Sequence, residues 1–283
     1  MKRLKLYLLE FRYSHWIKNL ILFMPIFFGG KIINVDLLRN AILGFIAFSW
    51  TASFVYVFND LKDIEEDKKH PKKKSRPIAS GEISQKEASM LLITLSMLIS
   101  LLTIYIDNLA FTSTLFAYLL INLLYSFSLK KVPVIELIIV TTCYILRLLA
   151  GGAITNISVS YWLLIVIFFG ALLFISGKRL TEKRNSKTRS VLKKYRTDTL
   201  KNLTYFAAIA STLCMVIYTI TQGAQYIPQA VIYALAIIRY VKLLHTTDKG
   251  ESTEIFIDRS LIFLIVLFSI YSFFIIYYKG HLL

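Results

Sequence analysis

Residues 44–67 read GFIAFSWTASFVYVFNDLKDIEED. The stretch carries no charge until Asp60, and it sets Asn59, Asp60, Asp63 and Asp67 in the spacing N-D-x-x-D-x-x-x-D. On a helix, 100° per residue puts Asp60, Asp63 and Asp67 within about 60° of one another on one face. Glu65 falls on the opposite side and Glu66 at the edge. Three carboxylates so close repel one another, and a divalent cation is the usual offset. Oxygen ligands of this kind suit Mg2+, which takes one or two carboxylates and completes its shell with substrate phosphates. The other reading is a solvated acidic helix end, paired with Lys68, Lys69, Lys72, Lys73, Lys74 and Arg76. Position weighs against it, because the acids emerge directly from an apolar helix, where carboxylates are costly.

The apolar run that precedes the acids is one of nine. Candidate spans fall at about 18–34, 38–58, 87–106, 109–127, 134–153, 160–177, 203–221, 227–244 and 260–278, each near the roughly 17–25 residues that cross a hydrocarbon core. The first is the weakest, with a short apolar core from Leu20 to Phe28 flanked by Lys18, Asn19 and Lys31. The chain is 56% hydrophobic with a mean hydropathy of +0.61, above the roughly 45–50% apolar of soluble domains. The expected class is an all-α polytopic membrane protein, and disorder, coiled coil and a disulfide scaffold are excluded. Cys143 and Cys214 each sit inside an apolar run, and His15, His70, His245 and His281 are scattered. Neither set suggests a disulfide, a zinc site or a histidine metal cluster. The N-terminal MKRLKLYLLEFRYSHWIKN has charges throughout and no small-residue cleavage site, so no cleavable signal is expected.

Charge orients the spans. The net +16 is read as cytoplasmic-loop lysine and arginine, not as a nucleic-acid surface. With the N-terminus in the cytoplasm, 29 of the 33 basic residues lie on inner segments, three lie on outer ones, and Arg147 lies inside the fifth span. The outer connections are short and almost uncharged, so the chemistry is expected at the cytoplasmic face of a multi-pass protein of the cell (inner or plasma) membrane. The two long inner loops, 59–86 and 178–202, follow spans two and six, which hints at two four-helix halves plus a ninth helix. Ser84 with Glu87 three residues on reads as a capping box opening span three. Pro133 sits where a first-turn proline opens span five.

After the acids comes His70-Pro71-x-x-x-x-Arg76-Pro77-Ile78-Ala79-Ser80-Gly81. Proline and glycine make it a loop, and Arg76 is the candidate to hold phosphate beside the metal. N-D-x-x-D-x-x-x-D followed by H-P and R-P-I-A-S-G resembles the first aspartate-rich motif of the UbiA-type intramembrane prenyltransferase superfamily. The resemblance covers essentially the whole chain, 1–283, as a single transmembrane domain. It implies nine helices around a lipid-accessible cavity and a Mg2+–diphosphate substrate bound at two cytoplasmic polar loops. Asp60, Asp63 and Asp67 are then the metal-binding and catalytic carboxylates, with Asn59 orienting a ligand or a bound water.

Ordinary members of that superfamily carry a second motif, D-x-x-x-D, after helix six. Here the corresponding stretch is Phe174-Ile-Ser-Gly-Lys178-Arg179-Leu-Thr-Glu182, with no aspartate pair. Lys178 and Arg179 at that mouth suit direct phosphate binding, Arg offering a planar donor fork. Alternatively they are positive-inside anchors. This departure is similar to one branch, the polyprenyl-phosphate (decaprenyl-phosphate) phosphoribosyltransferases. His15-Trp16-Ile17-Lys18-Asn19, Tyr125-Ser126, Leu129-Lys130, Val132-Pro133-Val134, Arg147-x-x-Ala150-Gly151-Gly152 and Asp258-Arg259 resemble that branch as well. The resemblance implies that 5-phosphoribosyl diphosphate is the donor and a polyprenyl phosphate the acceptor, in the synthesis of precursors for cell-envelope glycans. Lys18, Asn19, Asn59, Arg76, Tyr125, Lys130, Lys178, Arg179 and Glu182 are the candidate substrate-binding residues.

Arg147 joins that set, because an ionised group in mid-span is by default a functional hypothesis. The structural alternative pairs it with Glu136, about three turns or 16 Å along the same helix. Two other functions compete. A prenyltransferase joining a polyprenyl diphosphate to an aromatic acceptor is opposed by the missing second motif. A transporter is opposed by the concentration of charge at one face, since transporters place charged groups at the bilayer midplane. Membrane lipids surround the protein in every reading, and oligomeric state is left open, a homo-oligomer included.

Overall fold

The computed structural model describes residues 2–71, 73–185, 190–246 and 258–278. Among these residues the chain is helical with no strand. Its α-helices are α1 Lys2–Glu10, α2 Met24–Phe28, α3 Val35–Lys62, α4 Ile64–Lys69, α5 Gln85–Ile106, α6 Leu109–Phe127, α7 Ile135–Thr155, α8 Tyr161–Asn185, α9 Ser190–Lys194, α10 Thr197–Gln222, α11 Ile227–Thr246 and α12 Arg259–Tyr277. Eight are long and apolar enough to cross a membrane: α3, α5, α6, α7, α8, α10, α11 and α12. They match the second to ninth predicted spans. Their outward residues are apolar too. Met90, Ile93, Met97, Leu101 and Ile104 of α5 are all exposed, as a lipid-facing surface requires.

The first predicted span, 18–34, takes another form. Tyr13–Phe23 is a 3-10 helix running into the five-residue α2, which carries Pro25 in its first turn. The two predicted loops are also shorter than expected. The α8 helix continues through Lys178, Arg179 and Glu182 to Asn185, and α10 begins at Thr197. Hydropathy marks where a helix leaves the apolar layer, and the backbone ladder runs on past that point.

Helix ends are capped as their sequences dictate. Asn34 and Asp258 accept from the N–H groups of Leu37 and Leu261, and Ser84 with Glu87 forms both halves of the capping box. Pro133 stands ahead of α7 rather than in its first turn. Between them Val134 holds φ 66°, and its N–H donates to the Tyr195 hydroxyl at 2.6 Å. That conformation is rare for a β-branched residue. Inside the spans, Thr51, Thr141 and Thr155 return their hydroxyls to the carbonyl four residues back, which satisfies them without a partner helix.

The chain forms two compact units, Met1–Phe127 with Leu146–Ser158, and Ser128–Ile145 with Val159–Leu283. In the first, α3 is central and packs on α5, α6 and the 3-10 segment. That segment is pinned along α3 residue by residue. His15 meets Tyr56 at 3.3 Å, Trp16 Nε1 donates to Ser53 Oγ at 3.1 Å, and Asn19 Nδ2 donates to Ser49 Oγ at 3.0 Å. Positions rise on one side and fall on the other, so the two run antiparallel. Gly151 of α7 packs so close to the Leu22 carbonyl that any Cβ there would collide. In the second unit α8 packs on α10, α10 on α11 and α11 on α12. Small polar pairs join them: Thr204 to Ser176 at 3.1 Å and Gln229 to Ser272 at 2.8 Å. Such hydrogen bonds between helices are worth about 0.6–2 kcal/mol in a membrane.

Candidate functional site

The helix carrying the acidic cluster does not run straight through it. It breaks at Asp63 (φ −96°, ψ 15°), which ends α3 and precedes α4. The single-face spacing expected for the three aspartates is therefore replaced by a bend, with two of them turned inward. Asp60 and Asp67 are buried at 3% and 1% exposure, while Asp63 is half-buried.

The loop after α4 folds back over them because its own apolar residues demand it. Ile78 and Ile83 pack with Val57, Ile64, Ala88 and Leu95, and Gly81 turns the chain at φ +83° toward the Ser84 cap. This seats Arg76 between the carboxylates. Its Nη1 donates to Asp60 Oδ1 at 2.9 Å and to Asp67 Oδ2 at 2.5 Å. Lys73 Nζ lies 3.0 Å from Asp67 Oδ1 but off its hydrogen-bonding direction, since that oxygen makes an ion pair without a hydrogen bond.

The N-terminal segment supplies the rest of the cluster. Arg12 Nη2 donates to both Asp60 oxygens, at 2.5 and 2.6 Å, and its guanidinium lies 4.6 Å from the Tyr56 ring centroid. Glu10, 1% exposed, has neither oxygen hydrogen-bonded. Burial, then the neighbouring Asp60 carboxylate, pushes its carboxyl up to about 8.

Does a Mg2+ ion suit these residues? Among the described residues no three His, Cys, Asp or Glu side chains gather as a metal site. Asp60 and Asp67 nonetheless each place an oxygen within 3 Å of one nitrogen, Arg76 Nη1. A Mg2+ ion would take these two oxygens in place of Arg76 Nη1 and closer in, at roughly 2.0–2.1 Å, and hard carboxylate oxygens are its preferred donors. The donor set fits with these two, and the bend leaves Asp63 outside the pair.

Asn59 Oδ1 accepts from Ser126 Oγ, tying α3 to α6, and Lys62 donates to the Ser126 carbonyl at 2.8 Å. Tyr125 on α6 and Lys18 on the 3-10 segment are half-buried. Asn19 and Arg147 come together: Arg147 Nε donates to Asn19 Oδ1 at 2.7 Å and Nη2 to the Tyr118 hydroxyl at 3.0 Å. The guanidinium also lies 4.8 and 5.3 Å from the Tyr118 and Phe48 ring centroids.

In the second unit, Arg179 is the focus. It is 4% exposed. Its Nε meets the two Glu136 oxygens at 2.9 and 3.1 Å, and Nη1 meets Glu182 at 2.8 Å. Glu136, fully buried, thus belongs to Arg179, and the pairing with Arg147 along α7 does not form. Lys178 on α8 and Lys130 in the short 3-10 turn Leu129–Lys131 are half-buried. The candidate site residues did not include Glu10, Arg12, Lys73, Ser126 or Glu136; Lys73 and Glu136 entered only as ion-pair partners and Ser126 only in the family resemblance. Glu10 left a hint of its own, an acid among Tyr7, Leu8, Leu9 and Phe11 in an otherwise basic terminus.

The UbiA prenyltransferase family profile matches residues 20–267. The chain belongs to that family. It is therefore an integral membrane protein of an enzyme family. Two relatives are called decaprenyl-phosphate phosphoribosyltransferase. The one from Corynebacterium glutamicum is 32% identical over 261 residues, covering 86% of this chain and 78% of the relative. The one from Mycobacterium tuberculosis is 31% identical over 257 residues, covering 86% and 85%. A UbiA homologue from Archaeoglobus fulgidus, solved with GPP and Mg2+, shares the fold with a TM-score of 0.76 at 20% identity, over 96% of this chain and 99% of that one.

Proposed function

We propose that this UbiA-family protein is a phosphoribosyltransferase of the cell membrane. It moves 5-phosphoribose from 5-phosphoribosyl diphosphate to a polyprenyl phosphate and releases diphosphate, in a route to cell-envelope glycan precursors. The observation that carries the reading is the alignment of 86% of the chain with enzymes so named. The replacement of the second aspartate pair by Lys178, Arg179 and Glu182 at the end of α8 supports it.

In this reading the chain is one transmembrane domain of nine spans with the N-terminus and the site at the cytoplasmic side. The 29-to-3 split of basic residues supports that orientation. The remaining span is the first in the chain, drawn from Tyr13–Phe28 in place of the expected 18–34, which puts Lys18 within it and leaves 28 basic residues on inner segments. Eleven 3-10 residues and five α-helical ones, laid end to end, reach about 30 Å, which is the thickness of a hydrocarbon core.

Asp60 and Asp67, with Asp63 as the third candidate, would hold Mg2+, which supplies Lewis-acid neutralisation of a departing diphosphate. Arg76 and Lys73 lie beside those carboxylates and hold the diphosphate oxygens. Lys178 and Arg179 hold a phosphate of the donor or the lipid, with Glu136 and Glu182 fixing the plane of the Arg179 fork. Lys18, Tyr125 and the Asn19–Arg147 pair in the first unit, and Lys130 in the second, are further candidates for substrate contacts, and Asn59 keeps α3 in register with α6. The C1–diphosphate bond of the ribose breaks, its electron pair leaves with diphosphate, and an oxygen of the lipid phosphate forms the new C1–O bond. That oxygen is already anionic, so no general base is required, and the protein acts by positioning and electrostatic stabilisation.

The test supplies membranes containing the protein with labelled phosphoribosyl diphosphate and polyprenyl phosphate, with and without Mg2+. Label is expected in the organic-extractable lipid only when both Mg2+ and the lipid phosphate are present. Transfer of a prenyl group from prenyl diphosphate to an aromatic acceptor, with no label in lipid phosphate, overturns the reading.

A further inference from the structure

We propose that Arg12 is a positioning residue, one that fixes the Asp60 carboxylate for chemistry at the diphosphate site. The proposal rests on the reading that Asp60 serves that site.

Arg12 lies ahead of residues 20–267, which match the family, and 48 residues from the acid it meets. Its placement is specified from both sides. The backbone at Arg12 is left-handed (φ 50°, ψ 47°), a conformation that costs an L-residue roughly 1–2 kcal/mol. Several contacts hold it there. Arg12 N–H donates to the Leu9 carbonyl at 3.1 Å, His15 N–H donates to the Arg12 carbonyl at 2.8 Å, and Ser53 Oγ donates to the adjacent Phe11 carbonyl at 2.9 Å. A strained turn kept by so many contacts directs the side chain rather than merely tolerating it.

At the other end, Arg12 and Arg76 treat Asp60 differently. Arg12 grips both oxygens and lies over the Tyr56 ring. Arg76 touches only Oδ1 and reaches on to Asp67. One nitrogen, Arg12 Nη2, at 2.5 and 2.6 Å from the two oxygens, fixes where the carboxylate points, while Arg76 on Oδ1 alone sets its rotation about that direction. Arg76 comes from the loop and spans two acids. Arg12 comes from a pinned turn and serves one. The division assigns orientation of Asp60 to Arg12. Groups that orient a carboxylate in this way typically cost ten- to a hundredfold in activity when removed.

The experiment uses the full chain in lipid nanodiscs and compares Arg12→Gln, Arg12→Lys, Asp60→Asn and the double variant Arg12→Gln/Asp60→Asn. Melting temperature, kcat and KM are measured with phosphoribosyl diphosphate and polyprenyl phosphate, and in parallel with geranyl diphosphate and an aromatic acceptor. Whichever diphosphate the unaltered protein consumes is the one scored. The unaltered protein thereby tests the reaction, and the variants test Arg12. Arg12→Gln is expected to lower kcat about ten- to a hundredfold with the acceptor KM within about twofold. Arg12→Lys should recover only part, because a flexible ammonium can replace the single nitrogen that meets Asp60 but not the planar guanidinium over Tyr56. On the Asp60→Asn background, Arg12→Gln should cost nothing further, as expected of residues acting as a unit. Three results overturn the proposal: unchanged kcat in folded Arg12→Gln, losses that add in the double variant, or full activity in Arg12→Lys. Consumption of neither diphosphate overturns it together with the reaction.

Discussion

Replacing Arg179 by alanine removes three charge-assisted contacts at once: two to Glu136, at 2.9 and 3.1 Å, and one to Glu182 at 2.8 Å. Glu182 is partly exposed and can turn to water, but the Glu136 side chain is 0% exposed. The dominant cost is therefore a carboxylate left buried without its cation, about 3–5 kcal/mol. At roughly 2–4 °C per kcal/mol for a chain of this size class, the melting temperature should fall by on the order of 10 °C. Loss of turnover in that variant proves nothing about phosphate, because the fold is compromised. The pair Arg179→Met/Glu136→Leu separates the two roles. Exchanging both partners for apolar residues of similar volume is often neutral or stabilising, so thermal stability in detergent should return. Turnover should remain low if Arg179 also holds a substrate phosphate, by about tenfold or more for each lost charge-assisted bond. A melting temperature within a degree or two of normal in Arg179→Ala would refute the buried pair. Full turnover in the stable double variant would refute the phosphate role.

Asp60→Ala and Asp67→Ala should each nearly abolish turnover, with EDTA mimicking the loss and Mg2+ reversing it in the unaltered protein. Turnover at the unaltered rate in either variant removes that residue from the metal set, and Asp63→Ala tests the third in the same assay. A cysteine introduced at Lys193 should react with a membrane-impermeant reagent only in opened cells, and labelling of intact cells would invert the topology. Glu10 gives a pH signature, measured in EDTA. Its carboxyl stands at about 8 in the fold against 4.5 ordinarily. The stability it contributes is therefore full below about 4.5 and lost as pH rises through about 8. Glu10→Gln should match the unaltered protein near pH 4.5 and melt higher than it at pH 9, and parallel curves across the range would show that Glu10 does not titrate there.

Eight spans were legible because a helix that faces lipid must be apolar on nearly every side, which leaves no competing pattern. The ends of those helices were not. Lys178, Arg179 and Glu182 look like a loop by hydropathy, yet nothing in their backbone propensity stops α8 before Asn185. The form of the expected first span, 18–34, was illegible for the opposite reason. Pro25, with a short apolar core between Lys18 and Lys31, argues against a long α-helix. It says nothing of a 3-10 run held by Tyr56, Ser53 and Ser49 of α3.

The acidic cluster stood out by spacing, and Lys73 and Arg76 were among the cations expected to pair with it; Arg12 was not, and the charge count explains why. With 33 basic residues against 17 acidic ones, every acid has nearly two available cations, so proximity in sequence selects poorly. The lysines that follow Asp60 were the nearest choice, yet Asp60 takes Arg12 from 48 residues back and Arg76 from 16 residues ahead. Glu136 shares a helix with Arg147, yet three turns of a rigid rod keep the two apart, and Glu136 takes Arg179 from 43 residues away. Arg147 settles instead on an amide, a phenol and two aromatic faces. In an apolar surround a buried charge must find several such donors and acceptors at once, and only the packed fold decides which of them can meet. The same reasoning makes Arg12 informative. A cation that the chain bends into a left-handed turn to deliver is one of many in the sequence, and its place beside Asp60 follows from packing alone.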